Sequence, residues 1–308
     1  MSTARRSARM RSLRGRLAEP PPGPFRPSFW RSPLRGPWLT SFLGTLLGPL
    51  IVVIAFTGLI SHDSYYPELG NNATSNPAHD IGVLLHLQIG SPIWSYAFTQ
   101  GAHITVGLVT IPVLLAKLWS VIPRLFAWPA VRNLASALER LSLLLLVGGA
   151  LFEFATGLLD IQNYYPWHFD FYTAHYYGAW VFFTAFALHV CVKLPVVVRS
   201  FRDRGWLRPL RDDLLHTRAE QNVAGGLAPV APATATLSRR GFFAIVGGAS
   251  LTLFAVNIGE TVGGPFRRLA LLAPRGREFG TGANDFQVNR TAAAVGVTAA
   301  AVANWRLA

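Results

Sequence analysis

The sequence has very little cysteine and little charge. Its 308 residues include one cysteine, Cys191, which excludes an internal disulfide, a Cys-rich zinc site and a Cys-ligated iron–sulfur cluster. Charged residues make up 14% of the chain, against about 25% in an ordinary soluble domain. Hydrophobic residues make up 51%, which excludes a disordered chain, because disorder goes with low hydrophobicity and high charge. Together these values indicate a protein that contacts lipid.

Five segments are apolar over most of the ~20 residues that a membrane-spanning helix needs. They lie at 38–60, 93–122, 141–161, 173–198 and 241–258. The predicted fold is therefore an all-α membrane protein. It has a cytoplasmic Arg-rich arm (1–37), expected to be unstructured, a four-helix transmembrane bundle (38–199) and a cytoplasmic linker (200–240). A fifth transmembrane helix (241–259) and a short irregular outer tail (260–308) follow.

The basic residues are distributed unevenly between the loops. Residues 62–92 and 162–172 contain no Lys or Arg, whereas the arm, the connection 117–140 and the stretch 193–240 are rich in them. Cytoplasmic loops carry the excess of Lys and Arg. We therefore expect a multi-pass protein of the cell (plasma) membrane, with a cytoplasmic N-terminus and an extracytoplasmic C-terminus. The net charge of +13 is a signal of topology rather than of nucleic-acid binding.

Three histidines lie inside predicted spans, where ionisable side chains are costly and mark functional sites. His103 is in the second span, and His175 and His189 are in the fourth. The last two are 14 residues apart, which places them on one face of a helix at a separation of about 21 Å. Neutral imidazole is an axial ligand of haem iron, and helix bundles hold cofactors through His on facing helices. The alternative is that these histidines only tether helices together.

Depth along the helices predicts which histidines form a pair. Counted from the outer edge at ~1.5 Å per residue, His103, His175 and His189 lie roughly 14, 6 and 27 Å deep. We therefore expect His103 and His175 to hold an outer haem b. His189 holds a second, inner haem or is the alternative partner, and His62, just past the first span, is a further candidate on the outer side. Small residues at Gly107 and Gly178 leave room for a flat macrocycle.

The remaining histidines and one acidic residue have simpler interpretations. His79, His86 and His168 are expected in outer loops, although His86 becomes a candidate ligand if its apolar stretch enters the membrane. His216 is expected on the cytoplasmic surface. Glu153 lies in the middle of a span, where a buried carboxylate often marks a proton route. It either protonates a quinone or is held neutral by a neighbour.

Before the fifth span, the run SRRGFF (238–243) resembles the twin-arginine export signal. That route carries folded, usually cofactor-loaded domains, so the motif implies the twin-arginine export machinery as a partner. The alternative is that Arg239 and Arg240 only add to the positive charge on the cytoplasmic side.

The chain resembles actinobacterial membrane proteins in which a b-type cytochrome module is joined to an exported, molybdopterin-dependent, sulfite-oxidase-like domain. The matching runs are TQGAHITVG (99–107), LAKLWSV (115–121), ERLSL (139–143), FEFATG (152–157), YTAHYYGAW (172–180), PRGR (274–277) and NDFQVNRTA (284–292). The resemblance implies a haem b module that passes electrons between the membrane quinone pool and an extracytoplasmic molybdopterin oxidoreductase.

The resemblance also implies a catalytic domain that lies outside this sequence. The family's molybdenum domain uses a Cys thiolate as metal ligand, whereas Cys191 lies inside the fourth span. We therefore expect molybdopterin only in a domain or subunit absent from this chain, and no catalytic residue within it. The rival functions are a haem-free anchor or transporter-like protein, and a stand-alone transmembrane ferric or quinone reductase.

Overall fold

The computed structural model describes residues 19–64, 94–131, 133–161, 164–169, 171–221 and 227–262, with the single positions 296 and 298. The loop that carries His79 and His86, the start of the arm and most of the predicted tail lie outside the described residues.

Five long helices dominate the structure, and the described ranges contain no strand. They are α1 (Pro37–Ser64), α2 (Ser95–Leu125), α3 (Leu134–Ile161), α4 (Phe171–Arg204) and α5 (Arg239–Val262). All five are long and apolar enough to cross a membrane, so the predicted all-α membrane fold is confirmed. A helix satisfies its backbone groups internally, which lipid requires of any spanning segment.

The chain divides into two compact units. The first unit comprises Met1–Pro49, Thr110–Ala150 and Val181–Ala249. The second comprises Leu50–Val109, Leu151–Trp180 and Ser250–Ala308. Each of the five helices contributes one part to each unit.

Glu220 of the linker anchors the start of α1 within the first unit. Both of its carboxylate oxygens lie 3.2 Å from the backbone N–H of Trp38, and a negative charge at a helix N-terminus is stabilising. The indole of Trp38 is fully buried and donates to the carbonyl of Gly205, 3.0 Å away. These contacts fix the linker against the first turn of α1.

The second half of the arm packs onto α2, so the expectation of an unstructured arm does not hold there. Arg35 is buried; its guanidinium lies between the rings of Trp30 and Trp119, 5.1 and 4.0 Å from their centroids. Its Nε donates to the carbonyl of Trp119 at 3.1 Å. Burial lowers the pKa of Arg35 to about 10, so it stays charged at neutral pH and its cation–π contacts persist.

Polar contacts between helices recur in the second unit. The amide of Asn257 donates to Thr105 Oγ1 at 2.6 Å, and Ser250 Oγ donates to the carbonyl of Val109 at 2.8 Å. Both bonds join α5 to α2. Hydrogen bonds of this kind hold helices together in membranes, so the predicted fifth span is attached to the helix that carries His103.

Candidate functional site

The second unit brings together His103 of α2 and His175 of α4. Their ring centroids are 6.3 Å apart and their planes are nearly perpendicular, at 86°. This is the pair that depth along the helices predicts, and both rings are half-buried. Their role as cofactor ligands remains a prediction.

The ring of His103 is held by α1. Its Nδ1 lies 2.9 Å from the carbonyl oxygen of Ile54. A carbonyl only accepts hydrogen bonds, so Nδ1 carries the proton and Nε2 is left with its lone pair. Gly58 makes this approach possible, because a Cβ there would lie 2.7 Å from Cε1 and 2.8 Å from Nδ1 of the imidazole.

The ring of His175 is held by α3. Its Nδ1 lies 2.9 Å from Oε2 of Glu153 and 3.4 Å from the hydroxyl of Thr156. Glu153 is only 8% exposed. The ring of Phe171 stacks on the imidazole, with centroids 5.0 Å apart and an angle of 28°. The Nδ1 of this histidine, too, faces an acceptor, and its Nε2 remains available.

This pattern is the one that metal-bound histidines show. A ligating histidine almost always donates its other ring N–H to a carbonyl, a carboxylate or water, which fixes the tautomer and the ring orientation. Two imidazoles that share one ion at about 2 Å from each nitrogen have centroids roughly 6 Å apart. A direct edge-to-face ring contact has a similar centroid distance. The two Nδ1 acceptors, rather than the spacing, therefore favour a ligand site.

The two glycines predicted to leave room for a macrocycle differ. Gly107 is one turn beyond His103 on the same face of α2, and outside the adjoining part of that helix no described atom lies within 4 Å of a Cβ placed there. At Gly178, a Cβ would collide with Oε1 of Glu153 and lie 3.1 Å from the Phe152 ring. Gly107 thus borders open space, whereas Gly178 allows α4 to pack closely on α3. The expectation for Gly178 was wrong because the carboxylate occupies that space.

The donor set fits a haem better than a closed metal site. Among the residues that the structure describes, no three His, Cys, Asp or Glu side chains form a group that could hold a metal ion. A structural zinc site needs four protein ligands. A porphyrin supplies four nitrogens to its iron, so one or two protein ligands are enough.

The other histidines that the structure describes have different surroundings. His189 lies in the first unit, half-buried on α4. His62 lies at the end of α1, where its ring stacks on Tyr176 with centroids 4.0 Å apart. His168 and His216 are exposed. Nδ1 of His216 lies 2.6 Å from Asp213, and hydrogen bonds from the backbone and ring of His216 lower the pKa of that carboxyl.

Sequence reasoning missed the partners of the two ligand candidates. It identified Glu153 as a proton-route candidate but not as the neighbour of His175, because spacing within one helix carries no information about contacts between helices. It did not identify Ile54 or Gly58. The available signal was a glycine inside an otherwise bulky apolar span, and such glycines often mark close helix contacts.

The two arginines of the twin-arginine motif have different environments in the first unit. Arg239 is fully buried, whereas Arg240 is exposed. Nη2 of Arg239 donates to the carbonyl of Arg218 at 2.7 Å, and Nη1 lies 3.6 Å from Asp212. Arg239 therefore has a structural role in the fold.

Comparisons with family models, with curated proteins and with solved structures found no match. The resemblance to a cytochrome b module with a molybdopterin partner therefore remains an expectation, and the function is argued from the site.

Proposed function

We propose that this protein is a membrane electron-transfer module that holds a haem b between His103 and His175. The observation that carries the proposal is the shared arrangement of the two imidazoles, each with Nδ1 against an acceptor and Nε2 left over. Haem supplies one-electron chemistry to such a site, and the protein supplies ligation, orientation and a low-dielectric shell that set the potential.

Each contact of the site has a task in this proposal. The carbonyl of Ile54 fixes the tautomer of His103, and Glu153 does the same for His175. The open space beside Gly107 accommodates a flat macrocycle on the face of α2 that carries His103.

The proposed electron route has two ends. By the distribution of Lys and Arg, the pair lies toward the extracytoplasmic side. From His175, aromatic rings continue through Phe171 and Tyr165 to Trp167, with centroid distances of 5.0, 6.4 and 6.2 Å. Tyr165 is 46% exposed. This ring series offers a surface where a molybdopterin oxidoreductase exchanges electrons with the module, and the quinone pool is the second donor or acceptor.

Haem quantification on purified full-length protein tests the proposal. The expected result is haem b in the wild type and in His189→Ala, and its loss in His103→Ala and His175→Ala. His189→Ala is the matched control because it removes an imidazole from the same helix as His175. Full retention of haem in His103→Ala and His175→Ala overturns the pairing. Loss of haem only in His189→Ala would assign the haem site to the first unit, where His189 lies.

A haem-free membrane anchor is the second candidate, because an edge-to-face ring contact also accounts for the 6.3 Å spacing. In that case the wild type is colourless even when expressed with ample haem, and His103→Ala lowers stability without a spectral change.

The third candidate is a stand-alone ferric or quinone reductase. If the protein has that function, it contains haem and reduces its acceptor without a copurifying molybdoenzyme.

A further inference from the structure

We propose that Glu153 is a positioning residue that holds His175 in its ligand orientation and lowers the reduction potential of the iron. The inference rests on the proposed function and assigns a role in it to a residue on a third helix. It replaces the proton route that the sequence suggested for this carboxylate.

The first observation is that the carboxylate is buried with a single partner. Glu153 is 8% exposed, and Oε2 lies 2.9 Å from Nδ1 of His175. Neither oxygen makes a hydrogen bond of good geometry to any described residue, so the polar contact of this carboxylate is its close approach to Nδ1 of His175. A carboxylate inside a membrane span is costly and is retained where it has a partner and a function. Here the imidazole is that partner.

The second observation is the space made for this carboxylate on α4. A Cβ at Gly178 would collide with Oε1 of Glu153 and crowd the ring of Phe152. The glycine follows His175 by three residues, so the same turn of α4 supplies the imidazole and the gap. On α3, a Cβ placed at Gly157 would lie 3.6 Å from Cε1 of His175, an ordinary van der Waals contact, so this helix also passes close to the ring there.

The two histidines therefore have acceptors of different strength. Nδ1 of His103 lies against a neutral carbonyl oxygen, whereas Nδ1 of His175 lies against a carboxylate oxygen. A carboxylate draws the Nδ1 proton more strongly, which raises the basicity of Nε2 as a ligand. A more basic axial ligand stabilises the oxidised iron, and hydrogen bonding around the ligands is one of the means by which a protein sets the potential.

The test is a potentiometric titration of purified Glu153→Gln. The amide keeps the size of the side chain and removes the charge. We expect the midpoint potential to rise, with the reduced form favoured about tenfold, which is about 59 mV for a one-electron couple. Low-spin ferric spectra recorded on the same sample should shift as well, because they report the strength of the axial ligand field.

Asp160→Asn is the matched control. Asp160 lies on the same helix, seven residues further along, and accepts a hydrogen bond from Tyr165 at 2.7 Å. The variant removes the same charge at a residue that acts on His175 only through its longer-range charge, so its potential should shift much less than that of Glu153→Gln. Equal shifts in the two variants, or no shift in Glu153→Gln, overturn the proposal.

If Glu153→Gln loses its haem, the haem content of Glu153→Asp, which keeps the carboxylate, becomes the deciding measurement. Retention of haem in the Asp variant supports a carboxylate-specific role, and equal loss in both variants overturns it. In every one of these outcomes the wild type and Asp160→Asn still contain haem. A wild type without haem contradicts the proposed function itself, so the two failures are distinguishable.

Discussion

At the scale of the residue, Gly58 decides how close α1 comes to His103. It follows Ile54 by one turn, and the missing side chain uncovers the Ile54 carbonyl that Nδ1 of the imidazole reaches. Any Cβ at this position would lie inside contact distance of the ring. The orientation of one ligand candidate thus depends on a residue that has no side chain.

The first prediction concerns this glycine. Gly58→Ala should displace the ring of His103, break its bond to Ile54 and lower haem affinity by about tenfold, the lower end of what loss of a ligand's supporting contact costs. Gly48→Ala is the control on the same helix, because no other atom lies within 4 Å of its Cβ position. Titration of both apoproteins with haem measures the effect. Equal affinity in the two variants would show that the contact with Ile54 is not needed.

At the scale of the element, the start of α5 is fixed by a buried cation. Arg239 is the first residue of the helix and is fully buried. Its guanidinium bonds to the linker at the carbonyl of Arg218 and lies near the carboxylate of Asp212. A charge without its partners in such a place would be costly, so the linker and α5 depend on each other.

Arg239→Ala should therefore lower the free energy of unfolding by about 1–3 kcal/mol, the usual cost of leaving buried hydrogen-bonding groups unmatched. Arg240→Ala should have little effect, because that side chain is exposed. Thermal unfolding in detergent compares the two. Equal stability of the two variants would contradict the structural role.

Hydropathy predicted the helices but not all of their ends. The fourth span, expected at 173–198, continues to Arg204 because its last turns are polar and extend beyond the apolar part. Helix α3 begins at Leu134 rather than 141. There, Asn133 Oδ1 accepts from the N–H of Ser136, and Ser136 Oγ accepts from the N–H of Asn133 at 2.9 Å. Capping of this kind starts the helix before Glu139 and Arg140, two charged residues that separate its beginning from the apolar run.

At the scale of the whole molecule, the sequence predicts the pair of histidines but not what surrounds them. Periodicity and depth are properties of single helices, and they were sufficient to pair His103 with His175. The contacts of these rings with Ile54 and Glu153 depend on the rotation and register of neighbouring helices, which spacing along one helix does not encode. The packing of the arm through Arg35 was missed for the same reason, because it depends on Trp119 in a distant segment.

The decisive measurement is low-temperature electron paramagnetic resonance of the oxidised wild-type protein, purified after expression with ample haem. Two imidazoles on one iron give a six-coordinate, low-spin ferric haem, and we predict that signal from a haem in the second unit. A colourless protein, or a haem whose spectrum is only high-spin, would contradict ligation by His103 and His175.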